Sequence, residues 1–318
     1  MTGNLAIFAI SFVRQMQRLR LKALPGGKIN NMGDTKTPVL EITSYTDPYC
    51  TWCWGSEPVL RHIQEVYGDQ VSIHFKMGGL VKDTRHFQDP LNQIGGPEMY
   101  RQVADHWREA SQRHGMPVNA EIFIDMKDEF RSTWPANIAY KAAELQDQTL
   151  AEKYLRRLRE AAAAERLPIH RLDVQARLAE EVGLDRARLL EDIDRGVAEE
   201  AFLEDLLECQ EKGVTGFPTF LIRNRAGEET ILHGFQGFRE FDHAFRMLAD
   251  DELLLRPVGR SDQRLVEFVG KYGKVAPREV AEVFAESMAE ANQWLERLED
   301  EGKLKRQRAG NGWFYLPV

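Results

Sequence analysis

The chain has 318 residues, 43% of them hydrophobic, with a mean hydropathy of −0.45; it reads as a soluble globular protein with one sizeable core and room for a second, smaller one. Its 42 Lys and Arg against 50 Asp and Glu leave a formal charge of −8, spread along the chain, which excludes a global basic field for nucleic acid or anionic membrane. Three cysteines exclude the disulfide framework of a small secreted domain.

Residues 1–36 are expected to be a weakly ordered leader. "LAIFAISFV" (Leu5 to Val13) is too short for a membrane span of about 20 apolar residues. It also lacks the preceding basic charge of a secretory signal, so a cytoplasmic location is expected. Met32, in "MGDTKTPVLEITSY", is an alternative start.

"PVLEITSYTDP" (Pro38 to Pro48) predicts a strand ended by Asp-Pro. Val59, Leu60, Ile63, Val66 and Tyr67 recur at helical spacing up to Gly68. "VSIHFKMGGL" (Val71 to Leu80) predicts a second strand, so the opening is β-α-β. From about Pro97 to Gly213 the pattern is helical throughout, with Thr133 or Ser132 capping a helix entered through Pro135. "GVTGFPTFLIRNRAGEETILHGFQGF" (Gly213 to Phe238) predicts a β-hairpin turning at "NRAG", followed by a helix over about Arg239 to Leu248. Beyond Pro257, "QRLVEFVGKYG", "PREVAEVF" and "SMAEANQWLERLEDEG" predict three helices, and "KLKRQRAGNGWFYLPV" two short strands. That order is winged-helix-like.

The chemistry concentrates in "DPYCTWCWGSEP" (Asp47 to Pro58), where Cys50 and Cys53 stand at the first strand-to-helix junction. Zinc would need a second Cys or His pair, and Cys209 stands alone; no metal and no cofactor is expected. A purely structural Cys50–Cys53 disulfide would close too small a loop to stabilise much. At the helix start, the unpaired N–H groups and the helix dipole favour a Cys50 thiolate, the attacking species in disulfide exchange. Cys53, one turn further in, is expected to be more covered and to resolve the mixed disulfide. "GVTGFPTF" adds Pro218 just before a strand, where a cis bond would present the Phe217 backbone beside the thiols.

The order β, C-x-x-C helix, β, helical block, "GFP", hairpin, helix resembles the DsbA family, a thioredoxin fold with an inserted helical domain. "DPYCTWCWGSEP", "STWPANIAYKAAELQ" and "GVTGFPTF" look most like its FrnE-like branch and the SpxH (YjbH) adaptor branch. The resemblance implies Cys50 as nucleophile, Cys53 as resolver and Pro218 as the cis-proline. The expected fold is α/β: residues 37–84 and 205–252 thioredoxin-like, 85–204 a helical insertion, and 253–318 winged-helix-like. Thr51-Trp52 replaces the Pro-His of periplasmic relatives, and Phe217 is bulkier than the usual residue before this proline.

Trp52 suits either an apolar lip for an extended substrate or packing against the helical block, while Trp54 and Trp134 are expected to pack. Cys209 is expected to be a buried inert thiol. His74 reads as a structural histidine, and His86, His114 and His170 show no ligand spacing.

The expected function is a thiol-disulfide oxidoreductase or isomerase acting on protein thiols or disulfides. The alternatives are an SpxH-type protease adaptor that binds a client protein, and a redox-sensing winged-helix regulator. Residues 258–318 hold equal numbers of acidic and basic residues, and their third helix is acidic. DNA is therefore disfavoured except through a wing of Lys303, Lys305, Arg306 and Arg308; docking of a protein or a second copy is preferred there. Because both cysteines and Pro218 lie outside this module, thiol turnover is expected to survive its deletion.

Overall fold

Strand β1 (Leu40–Thr46) alternates apolar and polar residues at first and then buries both faces as it approaches the thiols. It is the hub of the fold. The computed structural model describes residues 37–249 and 252–318; the leader expected over 1–36 lies outside the described residues. The main sheet has the order β2-β1-β5-β6. Strand β2 (Val71–Met77) runs parallel to β1, whereas β5 (Thr219–Asn224) and β6 (Glu229–His233) are antiparallel additions. A parallel neighbour requires a crossover, supplied by α1 (Thr51–Gly55) and α2 (Glu57–Tyr67).

Helix α2 begins with Pro58 in its first turn and stops at Gly68, whose φ is 56°, a left-handed value that suits glycine. Its Val59, Leu60, Ile63 and Val66 join Ile42, Phe220 and Phe241 in one apolar layer. Helix α10 (Phe238–Ala249) completes that face through Phe241, Ala244 and Phe245.

Between β2 and β5 comes the helical block. A two-residue ladder of β3 (Gln88–Asp89) and β4 (Ile94–Gly95) precedes α3 (Met99–His114) and α4 (Ile122–Asp125). Then follow α5 (Trp134–Glu144), α6 (Gln148–Ala163), α7 (Leu172–Glu181), α8 (Arg186–Asp194) and α9 (Val197–Glu211). The ladder lies ahead of the helical pattern that begins near Pro97, inside the bounds expected for the helical insertion, and each strand is only two residues long, too short to leave an alternation in the sequence. Helix α9 runs through position 204/205 and brings Cys209 against Tyr45 and Leu221 of the sheet.

The C-terminal module has α11 (Asp262–Tyr272), α12 (Pro277–Val283), α13 (Met288–Asp300) and the ribbon β7 (Leu304–Ala309) with β8 (Gly312–Pro317). Val275 makes an isolated antiparallel bridge to Tyr315 beside this ribbon, so three helices and a two-stranded ribbon follow one another in the expected order. Its own core contains Leu265, Phe268, Trp294 and Leu298. Ala276, Ala309 and Phe314, however, are buried with the helical block. Thr37–Val318 form one compact unit.

The ribbon turn shows how closely the module is seated. Asn311 N donates to the Val118 carbonyl at 2.9 Å, Val118 N donates to Asn311 Oδ1 at 2.9 Å, and Asn311 Nδ2 donates to Ser111 Oγ at 3.1 Å. A Cβ on Gly310 would stand 2.2 Å from the Val118 oxygen, so glycine is required by this approach. The ribbon turn is thus occupied by the helical block, while Lys303, Lys305, Arg306 and Arg308 of the expected wing remain exposed.

Candidate functional site

Cys50 closes the turn after β1 and caps α1. Its Sγ accepts from Cys53 N at 3.2 Å and lies 3.5 Å from the carbonyl oxygen of Phe217, to which its S–H can donate. The Phe217–Pro218 peptide is cis. Both thiols are buried, Cys50 at 5% exposure and Cys53 at 2%, but only Cys50 borders the adjoining cavity.

That cavity has a volume of about 540 Å³ and lies between the strand-to-helix turn and the start of the helical block; Cys50, Trp52, Leu80, Leu91, Tyr100 and Phe217 are among its walls. The ring of Phe217 rests on Gly78, where a Cβ would fall 1.9 Å from its Cζ. Trp52 packs against the helical block, as one of its two expected roles requires, and also faces the cavity. It borders the cavity, its Nε1 donates to His106 Nε2 at 3.2 Å, and its ring meets His106, His114 and Phe235.

The turn that holds Cys50 is organised by Asp47, which sequence reading passed over as a strand terminator. Its buried carboxylate accepts from Tyr49 N at 2.8 Å, Leu80 N at 2.8 Å, Thr133 Oγ1 at 2.7 Å and Asn137 Nδ2 at 2.8 Å. Thr133 and Asn137 are four apart at the start of α5, so one helical turn of the insertion locks the loop beside the nucleophile. Among the charged groups near the thiols, Asp47 is pushed up by burial while its four donors oppose that rise.

Beneath the pair lies a buried ion network. Arg159 of α6, 1% exposed, donates to Glu57 and to Thr46 Oγ1. Glu57 continues to Arg156 Nη1 at 3.4 Å. Arg156 makes a two-pronged contact with Glu279 of the C-terminal module, at 3.0 and 3.2 Å, and Arg61 Nη1 reaches the same carboxylate at 2.6 Å. Such fork geometry orients as well as neutralises. Against the cost of burial, the charges of Arg159, Arg156 and Arg61 hold Glu57 below the usual carboxylate range.

The acidity order differs from the helix-start expectation. Burial, followed by the hydrogen bond and charge of Cys53, raises the Cys50 thiol well above its ordinary range. Burial would raise Cys53 too, but the Cys50 hydrogen bond, the Arg159 charge and donors at Thr46 and Asp47 hold it low. Helix α1 has only five residues before Ser56, so few peptides align to form a dipole at Cys50.

Cys209 is buried, with burial and the nearby Asp205 and Glu208 raising its thiol to about 12, which suits an inert residue. Trp54, 1% exposed, packs its indole under Arg156 and against Phe314, and donates Nε1 to the Pro117 carbonyl at 2.9 Å. Trp134 stacks edge-on with Phe202. His74, His86, His114 and His170 are not gathered at one point; His114 alone adjoins the site, 3.3 Å from Thr51 Oγ1.

These features agree with the comparisons to known proteins. A family model described as Thioredoxin matches residues 44–243. The ClpXP adapter protein SpxH of Halalkalibacterium halodurans is 30% identical over 285 residues, covering 88% of this chain and 90% of that protein. The ClpXP adapter protein SpxH of Bacillus subtilis is 25% identical, covering 89% and 90%. Among solved structures, a putative protein disulfide isomerase from Nitrosomonas europaea superposes with a TM-score of 0.54 at 18% identity, covering 65% of this chain and 98% of that one. A probable DsbA oxidoreductase from Streptomyces coelicolor gives 0.50 at 16%, covering 65% and 89%. The sheet order, the helical insertion, the thiol-bearing turn and these likenesses converge: the chain belongs to the thioredoxin family, among the relatives of the SpxH proteins.

Proposed function

We propose that the protein is a cytoplasmic thiol-disulfide oxidoreductase or isomerase that acts on protein thiols or disulfides through Cys50 and Cys53. The observation that carries this reading is the division of labour in the pair: Cys50 opens onto an apolar-walled cavity, and Cys53 sits behind it within reach. In the reducing direction, the Cys50 sulfur attacks a substrate disulfide as its proton passes to Cys53. A Cys50–substrate disulfide forms, and the first substrate thiolate leaves. The Cys53 sulfur then passes that proton to the first substrate thiolate and attacks Cys50, closing the C-x-x-C disulfide and releasing the second substrate sulfur as a thiolate. Two electrons pass from the pair to the substrate, and a dithiol or small thiol must restore the pair; the oxidising direction is the reverse. Pro218 and Phe217 shape the docking wall, with Trp52 as the neighbouring apolar contact.

A second reading, client binding without turnover, is favoured by the named relatives, which are ClpXP adapters aligned along 90% of their length. The two readings separate experimentally. Cys53→Ala should accumulate mixed disulfides on Cys50, and Cys50→Ser should abolish insulin reduction while Cys209→Ser does not. Absence of covalent capture, together with non-covalent recovery of a client and protease, would replace the enzyme with the adapter. Sequence-selective DNA binding is disfavoured, since α13 presents Glu290, Glu296 and Asp300 to solvent and the wing tip is engaged by Val118.

A further inference from the structure

Trp52 stands between the two cysteines in the chain, and together with Cys50 and His106 it forms part of the cavity wall. Three rings surround its indole. His106 and His114 of α3 meet it near edge-on, with centroids 6.1 and 5.9 Å away at 68° and 81°, and Phe235, beyond β6, lies 5.7 Å away at 41°. These contacts bury apolar area. One directional bond is added to them: the indole Nε1 donates to His106 Nε2 at 3.2 Å.

An indole N–H can only donate. His106 Nε2 must therefore present its lone pair, which puts the imidazole in its neutral form with the proton on Nδ1. A proton added at Nε2 would set two N–H groups against each other, and the bond would be lost. Trp52 and His106 are both only partly exposed, so water does not fully replace it.

We propose that His106 is a positioning residue of the thiol site: its neutral imidazole holds Trp52 in the cavity wall beside Cys50, and its protonation in mild acid releases the indole and weakens the docking of an apolar polypeptide segment against that wall. The inference rests on the exchange reading above for the role of the cavity, but the indole and the docking can both be followed without turnover.

The charged groups that bear on His106 are Asp89 of β3 and, further along α3, Glu109 and Arg113. Asp89 is committed to its own turn, accepting from Asn92 N at 3.2 Å and Asn92 Nδ2 at 2.6 Å. Asp105, next to His106 in the chain, is paired with Arg108. Besides the thiols, α1 brings no ionisable side chain. Burial, with Arg113, outweighs the two carboxylates and lowers His106 below its ordinary value of about 6.5, so the bond is intact at neutral pH and is lost on the acid side. His114, the other imidazole against Trp52, accepts from Met116 N through Nδ1 and faces Thr51 Oγ1 through Nε2, so its protonation does not break this bond.

The test uses the full-length protein with isotope-labelled tryptophan and histidine, the Trp52 indole signal being assigned by its loss in Trp52→Phe. Between about pH 7.5 and about pH 5 that N–H signal should move with the ionisation of the His106 ring. His106→Gln, whose amide oxygen can accept the same bond, should hold the signal near its neutral-pH position throughout. His106→Leu should show at neutral pH the position that the parent reaches in acid. Docking is read in the Cys50→Ser background by fluorescence anisotropy with labelled, carbamidomethylated insulin B chain, which cannot form a disulfide. Affinity should fall about fivefold on acidification, the weight of one hydrogen bond; His106→Gln should lose that pH dependence, and His106→Leu should bind about fivefold more weakly already at neutral pH. A Trp52 signal that ignores the ionisation of His106, or B-chain binding that is absent or follows the same pH profile in parent and His106→Gln, would overturn the proposal. Failure of the parent to reduce insulin would instead remove the exchange reading and leave these measurements standing.

Discussion

The indole of Trp54 meets the ring of Phe314 edge-on, with centroids 6.2 Å apart and planes at 88°. Trp54 directly follows Cys53 in α1, and Phe314 lies in the last strand, so the C-terminal module forms the back wall of the thiol-bearing helix. This contact leads us to expect, against the expectation from sequence, that thiol turnover depends on residues 258–318. Phe314 is fully buried, and Phe314→Ala should cost about 3–5 kcal/mol through lost burial and the cavity left behind. Urea denaturation should show that loss together with slower insulin reduction. Retention of full stability and turnover after deletion of residues 258–318 would restore the modular view.

The same wall contains Glu279, which is fully buried beneath Arg61 and Arg156. Glu279→Ala leaves two buried guanidinium groups without their shared partner, and breaking a buried pair from one side costs about 3–5 kcal/mol. Adding Arg61→Met to Glu279→Ala should recover part of that loss, because one uncompensated charge is removed. A double-mutant cycle in urea measures the coupling; strictly additive losses would show that the carboxylate does not bind the module to α2.

His114 gives the fold a dependence on acid. Its Nδ1 accepts from Met116 N at 3.1 Å, which leaves Nε2–H to face Thr51 Oγ1 at 3.3 Å. Burial and Arg278 lower it to about 4, below its unfolded value near 6.5. In that window the unfolded chain binds the extra proton, so stability is complete above about pH 6.5 and falls as pH drops toward 4. The full linkage is on the order of 3 kcal/mol. His114→Gln should flatten the difference in unfolding free energy between pH 7 and pH 4.5 relative to the parent. Parallel pH profiles for parent and variant would remove this role.

Much of the fold was legible because its signals are local: the alternation in "LEITSYT", the helical spacing of Val59 to Tyr67, and the turn residues of the hairpin. The candidate thiol pair was legible from Cys50 and Cys53 at a strand-to-helix junction. Asp47 was not, since an Asp-Pro also reads as a simple strand stop, and its four donors come from three separate segments. Arg159 was hidden for a different reason. In "EKYLRRLREAAAAERL" it looks like one more solvated helix charge, and only the tertiary fold places it under Thr46. The seating of the C-terminal module likewise depends on pairs such as Asn311 with Val118, which are 193 residues apart.

The contact of Phe217 with Gly78 yields a test of the docking wall that leaves the thiols untouched. Gly78 N donates to the Thr46 carbonyl at 2.7 Å, which fixes the glycine at the end of β2 beside β1. A methyl group added there would lie 1.9 Å from the Phe217 Cζ, so the ring must swing away, into the cavity it borders or out of the wall. Overpacking of this kind costs about 1–3 kcal/mol, small enough for the protein to stay folded. Gly78→Ala should slow insulin reduction several-fold while the Cys50 and Cys53 titrations remain near those of the parent, because neither Arg159 nor Thr46 Oγ1 meets the new methyl group. Phe217→Ala in the same chain should relieve the clash and recover part of the rate, which a loss of general stability would not do. An unchanged rate in Gly78→Ala, or no recovery in the double variant, would show that the Phe217 ring is packing and not part of the surface on which a substrate docks.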